Sequence, residues 1–270
     1  MDVLTLIEGD TSPRWDLRRY VGCAVGVAVH VLFAYTVWRL FWFLKNGPGD
    51  DREGSLFIDA VLALQFALPH SALLHPAVKR RLGRWVSPAF YGLFYTTVTC
   101  VSLLLLFACW RSVGPTLWRA TGPMGAATLT AFFASWLALF YSLHLTGLGF
   151  QTGLTPWLAW VRGQPQPRRA FKPQGAYRWL RHPVYLSFMG LVWFTPTMTL
   201  DHAVLTGIWT VYLLLGSWLK DRRLEHYVGE PYREYETQVP GYPLAVVGPL
   251  GKRKKANSLV SLEASIGRAA

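Results

Sequence analysis

Six stretches of this chain stay apolar long enough to cross a lipid bilayer, and that constrains the fold before any other feature does. They run over roughly 20–44, 55–74, 88–110, 124–145, 183–200 and 203–219, against about 20 residues for a spanning helix. Inside lipid every backbone N–H and C=O must bond within the protein, so such stretches become helices. The fold class expected is all-α: a polytopic membrane bundle of about six transmembrane helices with short cytoplasmic C-terminal helices. Only Asp201-His202 separates the fifth run from the sixth, so these two are expected to form a tight helical hairpin.

Charge gives the bundle a direction. The chain has 27 Lys+Arg against 15 Asp+Glu, a formal net charge of +12. These cations lie between apolar runs, not on polar faces around an ordinary core, so the excess reads as membrane topology and excludes nucleic acid as the partner. The N-terminus, the 75–87 and 146–182 connections and the C-terminal tail together hold 22 of the 27. The 45–54 and 111–123 loops and the 201–202 turn hold 4, and Arg39 snorkels near the end of the first run. By the positive-inside rule this predicts a multi-pass protein with both termini cytoplasmic. The opening segment, with Asp2, Glu8, Asp10 and Asp16, lacks the basic start and cleavage site of a signal peptide, so the first helix is expected to stay. Cys23, Cys100 and Cys109 sit in apolar runs without a CxxC pair and read as small core residues.

The connections carry more information. The 146–182 segment is rich in Gly, Pro and Arg and too long for a simple turn. Its "GLGFQTG" has the spacing GxGxxxG and follows a membrane helix, which rules out a dinucleotide fingerprint. "TPWLAWV" predicts an interfacial helical turn with its tryptophans at headgroup depth. After the sixth run, "KDRRLEHYVGEPYREYETQVPGYPL" predicts two short helices folded against the mouth of the bundle, the second starting at Glu230-Pro231. Lys252, Arg253, Lys254 and Lys255 form a basic cluster suited to topology or to anionic lipid.

Ionisable groups within a membrane are expensive and tend to be functional. His30, His70 and His144 lie in runs one, two and four, and read either as pocket-wall residues or as axial ligands of a haem. "FALPHSALLHPAVKRRL" reads as a helix stop or as lining of the cytoplasmic mouth. The densest signal is "YRWLRHPVYLSFMG", residues 177 to 190. Pro183 at a first helical turn leaves the next N–H groups without intrahelical partners. With Arg181 and the helix dipole beside them, they form an expected seat for an anionic group, flanked by His182 and Tyr185.

Followed by "RRLEHYVGEPYREYETQVPGYP", that stretch resembles the signature of the isoprenylcysteine carboxyl methyltransferase and phospholipid methyltransferase group. "VWFTPTMTLDH", "LPHSALLHPAVKRRL" and the "LTGLGFQ" to "FKPQGAYRWLRHP" approach narrow the resemblance to bacterial methanethiol S-methyltransferases, related to NnrU-like membrane proteins. It extends over most of 55–245. The resemblance implies a methyltransferase with a cytoplasm-facing S-adenosylmethionine pocket and a small thiol or membrane-partitioned methyl acceptor. Phe171, Lys172, Tyr177, Arg181, His182, Pro183, Val184, Tyr185 and Asp221 are then the expected cofactor-binding residues. His182, Tyr232 and Tyr235 are candidates for the acceptor's proton, and Arg222, Arg223 or Arg233 for stabilising its anion; no metal is implied. In the family an acidic pair stands where this chain has Lys220-Asp221. The chain then divides into a cytoplasmic segment 1–19, a methyltransferase-like domain 20–245 with its cofactor part at 146–245, and a basic, disordered tail 246–270. Two alternatives share the motif: an NADPH-dependent sterol or enone reductase, for which "KDRR" suits a phosphate, and a non-enzymatic NnrU-like membrane protein of nitrogen-oxide metabolism.

Overall fold

The computed structural model describes residues 16–47, 54–168, 170–245 and 248–253. Among the described residues five helices are long and apolar enough to cross a membrane: α1 (Leu17–Asn46), α2 (Leu56–Leu74), α4 (Pro88–Cys109), α5 (Gly122–Leu145) and α9 (Leu200–Val228). They make the chain a multi-pass membrane protein. Between and after them lie α3 (Pro76–Leu82), α6 (Leu148–Gln151), α7 (Leu154–Val161), a 3-10 turn at Gly175–Arg178, α8 (Pro183–Trp193) and α10 (Glu230–Gln238). One buried core joins the long helices, with Leu44, Ala63, Leu106, Phe132, Leu191 and Leu205 at its centre.

The fifth apolar run departs from a plain spanning helix. α8 has 11 residues, about 16 Å of helix against a hydrocarbon layer of about 30 Å. Beyond it "TPTMT" combines a proline with β-branched threonines, which favour extended backbone. There β2 (Thr197–Thr199) pairs antiparallel with β1 (Thr116–Arg119). Buried Thr195 and Met198 show that this irregular segment is covered by protein, the condition under which non-helical backbone is tolerated at membrane depth. Asp201 and His202, expected as the hairpin turn, are instead buried in the first turn of α9. Trp110 Nε1 donates to Asp201 Oδ2 there at 3.0 Å.

The C-terminal part also differs from expectation. α9 runs unbroken through "KDRRLEHYV", whose Lys, Arg, Leu and Glu are strong helix formers. Its 29 residues give about 43 Å, so one long helix replaces the first of the two short helices expected. Gly229, at φ 74°, ends it, and Pro231 opens α10. Of the tail, residues 248–253 are described and packed; Lys254 and Lys255 lie outside the described residues.

The long 146–182 connection is held against the bundle by glycine. A Cβ on Gly26 would stand 2.0 Å from Trp157 Cε2, and one on Gly22 2.4 Å from Trp160 Cη2. The bare α1 backbone therefore lets both indoles pack closely against it. Trp157 is buried and donates from Nε1 to Gly22 O at 3.0 Å. Trp160 sits edge-on to Phe90, beneath the Arg19 guanidinium. The α7 tryptophans thus pack inward on α1 and α4, because α1 offers them a groove.

Candidate active site

The "LRHPVY" segment is clamped by the chain that follows α10. Arg181 N donates to Pro240 O at 2.9 Å and His182 N to Gly241 O at 3.3 Å. His182 caps α8, with Pro183 in its first turn. This brings three elements onto one carboxylate, that of Asp221 in α9. Its Oδ2 accepts from Arg181 Nε at 3.2 Å, from Arg181 Nη2 at 3.1 Å and from His182 Nε2 at 3.0 Å. Its Oδ1 accepts from the Tyr232 hydroxyl of α10. Arg181, His182, Asp221 and Tyr232 are between 0% and 3% exposed. A buried ion pair is tolerated only where hydrogen bonds satisfy the remaining polar atoms, and this cluster meets that condition almost completely.

The exception is informative. Because a carboxylate only accepts, the His182 Nε2 must carry the proton, leaving Nδ1 as a bare acceptor. His182 Nδ1 is buried and has no partner. Burial pushes the imidazole pKa down to about 4, against the opposing pull of Asp221, so the ring is neutral near pH 7. Burial also raises the hydroxyls of Tyr232, Tyr235 and Tyr242, the last to about 12. All three stay protonated and serve as donors.

The expected site residues divide into three groups. Tyr177, His182, Pro183, Val184, Tyr185, Asp221 and Tyr232 converge around the α8 entrance. Phe171 joins them edge-on to Tyr232 and Tyr235, with ring centroids 5.4 and 5.5 Å apart. Tyr235 donates to the Tyr177 carbonyl, bracing the loop. Arg181 is present but not as an anion seat. Its guanidinium is saturated by Asp221 and by the carbonyls of Glu236, Val239, Pro249 and Gly251. Lys172 and Arg233 face outward: Lys172 is exposed, and the half-exposed Arg233 pairs with Glu225 at 2.8 Å and Glu230 at 3.3 Å. Helical phase explains this, because Arg233 is one residue on from Tyr232 and so points away from Asp221.

Lys220 directs its ammonium at a backbone carbonyl and two tyrosine rings. Its Nζ donates to Arg181 O at 3.0 Å and lies over the rings of Tyr177 and Tyr185, 5.2 and 5.8 Å from their centroids. Below the cluster is a cavity of about 150 Å³ lined by Arg181, Asp221, Arg222, Glu225 and Glu236 and bounded by Gly248–Arg253. Small-molecule pockets occupy about 300 Å³ or more, so this cavity is too small to enclose a cofactor-sized molecule. Tyr242, 5.5 Å from the His182 ring, was not singled out beforehand, although its place in "VPGYP" was the available signal.

The three membrane histidines do not converge. His30 Nδ1 bonds Gly26 O at 2.7 Å, and its ring lies 5.8 Å from that of Trp157. His70 meets Tyr95 and Thr99, while His144 stands on α5. Among the described residues no group of three His, Cys, Asp or Glu is placed to hold a metal ion.

Fold and cluster define a class: a multi-pass helical membrane protein with a buried polar site at the N-terminus of a short helix. Sequence comparison supplies the family. The chain is 32% identical over 234 residues to a methanethiol S-methyltransferase of Mycobacterium tuberculosis, covering 83% of this chain and 96% of that one. It is 28% identical over 235 residues to a methanethiol S-methyltransferase of a Pseudomonas species, covering 82% and 89%. Rat Nurim matches at 28% over 203 residues, 67% of this chain and 77% of that one. The chain belongs to the methanethiol S-methyltransferase family and is a membrane methyltransferase. No family model matches it, and no solved structure does.

Proposed function

We propose that this protein transfers a methyl group from S-adenosylmethionine to a small thiol such as methanethiol, at a site open to the cytoplasm. The observation that carries the reading is the buried His182 Nδ1, an unfilled acceptor beside a fully satisfied Asp221. It is free to accept an N–H or O–H, which the amino and hydroxyl groups of this donor offer. The aromatic walls of Phe171, Tyr177 and Tyr185 suit a flat base. Cytoplasmic placement rests on the 22 of 27 Lys+Arg found on the site's side of the bundle.

When bound, S-adenosylmethionine supplies a methyl group on a sulfonium and retains the electron pair of the broken bond. The chain's own residues do the rest. Asp221, held by Arg181 and Tyr232, fixes the His182 ring in one tautomer. The gallery of tyrosines excludes water, and an opposite-charge reaction gains from a dry, preorganised site because its charges cancel as it proceeds. The acceptor loses its S–H proton first, since the thiolate is the nucleophile.

The test is methyl transfer by protein purified in detergent, with labelled donor and methanethiol, read as dimethyl sulfide by gas chromatography. Titration calorimetry with S-adenosylhomocysteine and, separately, NADPH runs alongside. Dimethyl sulfide formation and homocysteine-analogue binding that is lost in His182→Ala support the reading. Binding of NADPH alone would overturn it in favour of a reductase.

A further inference from the structure

The described end of the chain, residues 248–253, is bonded into the Asp221 cluster. Pro249, Leu250 and Gly251 each turn a carbonyl to it. Pro249 O accepts from Arg181 Nη2 at 3.3 Å, Gly251 O from Arg181 Nη1 at 3.1 Å, and Leu250 O from Gly241 N at 2.8 Å. Gly241 is where tail and site meet. Its own carbonyl accepts from His182 N at 3.3 Å. A Cβ on it would stand 2.6 Å from Leu250 O and 2.9 Å from His182 Cδ2, so only a glycine lets the tail and the imidazole come this near. The segment ends in a staple. Arg253 N donates to Glu236 O at 2.9 Å, and Arg253 Nη1 donates to Glu225 Oε1 of α9 and to Glu236 Oε2 of α10, each at 3.0 Å. One guanidinium thus joins the tail to the two helices that carry Asp221 and Tyr232. Glu225 Oε1 also serves Arg233, which leaves the buried Glu236 as the partner of Arg253 alone. Arg181, 1% exposed, depends on the carbonyls that this staple keeps in place, because a buried donor without an acceptor bears its full desolvation penalty.

We infer that Arg253 is a positioning residue of the methyl-transfer site: by stapling residues 248–253 to α9 and α10 it holds the carbonyls that hold Arg181, and through Arg181 and Asp221 it sets the His182 ring. The inference rests on the methyltransferase reading above. The side chain of Arg253 bonds to Glu225 and Glu236 and to neither Asp221 nor His182, so its influence runs through the tail. With the staple gone, Pro249 and Gly251 drift from Arg181, the guanidinium turns toward water, and Asp221 is drawn off His182 Nε2. The unfilled Nδ1 then no longer points in one direction. Arg253 is half-exposed, and exposed ion pairs are individually weak. Its contribution is therefore to the geometry of the site more than to the stability of the bundle.

The test uses the full chain in detergent, with S-adenosylhomocysteine affinity read by calorimetry and the unfolding midpoint by a thermal melt. Arg253→Ala is expected to weaken binding by about fivefold, the factor that matches the loss of a weak ion pair, and to lower the midpoint by no more than about 4 °C. Arg253→Lys keeps one of the two ion pairs and recovers part of the affinity. Lys252→Ala, one residue away and exposed, leaves both readings unchanged. The route is read by a double-variant cycle with Tyr232→Phe, which removes the other hold on Asp221. Two residues that act on one carboxylate couple, so the double variant should lose less affinity than the product of the two single losses. Simple multiplication of the losses overturns the inference, and so does full affinity in Arg253→Ala. A larger fall in the midpoint with unchanged affinity makes Arg253 an anchor of the fold and overturns it too. Wild-type protein that binds no S-adenosylhomocysteine overturns the underlying reading instead, a result that does not involve Arg253.

Discussion

His182 Nε2 lies 3.0 Å from Asp221 Oδ2, across 39 residues of sequence, and this one contact ties the entrance of α8 to the C-terminal third of α9. The same carboxylate neutralises a fully buried arginine. Removing it leaves the Arg181 charge uncompensated, and breaking such a pair costs about 3–5 kcal/mol. Asp221→Asn is therefore expected to lower the unfolding midpoint in detergent sharply and to abolish S-adenosylhomocysteine binding. The double variant Arg181→Met/Asp221→Leu recovers most of the stability without the binding. If each single change proved harmless, the cluster would not be the anchor described here.

The depressed His182 pKa has a definite sign in stability. The unfolded chain takes up this proton below about 6.5, the folded chain only below about 4. Between those values the unfolded state holds more protons, so stability is complete above about pH 6.5 and declines as pH falls toward 4. The total is on the order of 3 kcal/mol for a shift of this size. Unfolding free energies for wild type and His182→Gln should converge as the pH is lowered through that window. Glu236, raised by burial, acts in the opposite sense but is common to both proteins, so the difference isolates the imidazole.

Tyr232 and Arg233 are neighbours with opposite fates. Tyr232→Phe removes a hydrogen bond to a buried carboxylate, worth about 1.5–3 kcal/mol, and should weaken donor binding measurably. Arg233→Ala breaks only exposed ion pairs with Glu225 and Glu230 and should have the smaller effect on both affinity and turnover. Reversal of that order would return Arg233 to the site.

Much of this was legible because apolar length and charge placement are properties of the chain itself. The bundle and the gathering of His182, Tyr185 and Asp221 could be read from runs and motifs. Three things could not. Arg181 reads as a free cation until its carbonyl partners, up to 70 residues away, are known. α8 stops at Trp193 because threonines pair with β1, a strand more than 70 residues earlier. His70 has no local motif, and its hydrogen-bond partners Tyr95 and Thr99 stand on another helix. Local pattern reports propensity, while tertiary pairing decides what a charged group is for.

Gly26 tests the docking of the long connection. Any side chain there meets the Trp157 indole, which is itself bonded to Gly22 O. Gly26→Val should destabilise by about 1–3 kcal/mol, the range for overpacking. Adding Trp157→Leu should restore part of the loss, and that coupling, measured as a double-variant cycle, identifies the contact responsible.

Lys220 offers the sharpest separation of charge from shape. Its ammonium rests on Tyr177 and Tyr185, two of the aromatic walls assigned to the donor. A fixed positive charge there disfavours a sulfonium relative to the neutral sulfur of S-adenosylhomocysteine, and low-dielectric surroundings enlarge the difference. Wild type should therefore bind the homocysteine analogue more tightly than S-adenosylmethionine. Lys220→Met keeps the bulk and removes the charge, so the gap between the two affinities should narrow. The cost is one hydrogen bond to Arg181 O, which weakens both ligands equally and cancels in the ratio. An affinity ratio that stays the same in Lys220→Met would mean that the sulfonium binds away from Tyr177 and Tyr185, and the aromatic walls would have to be reassigned.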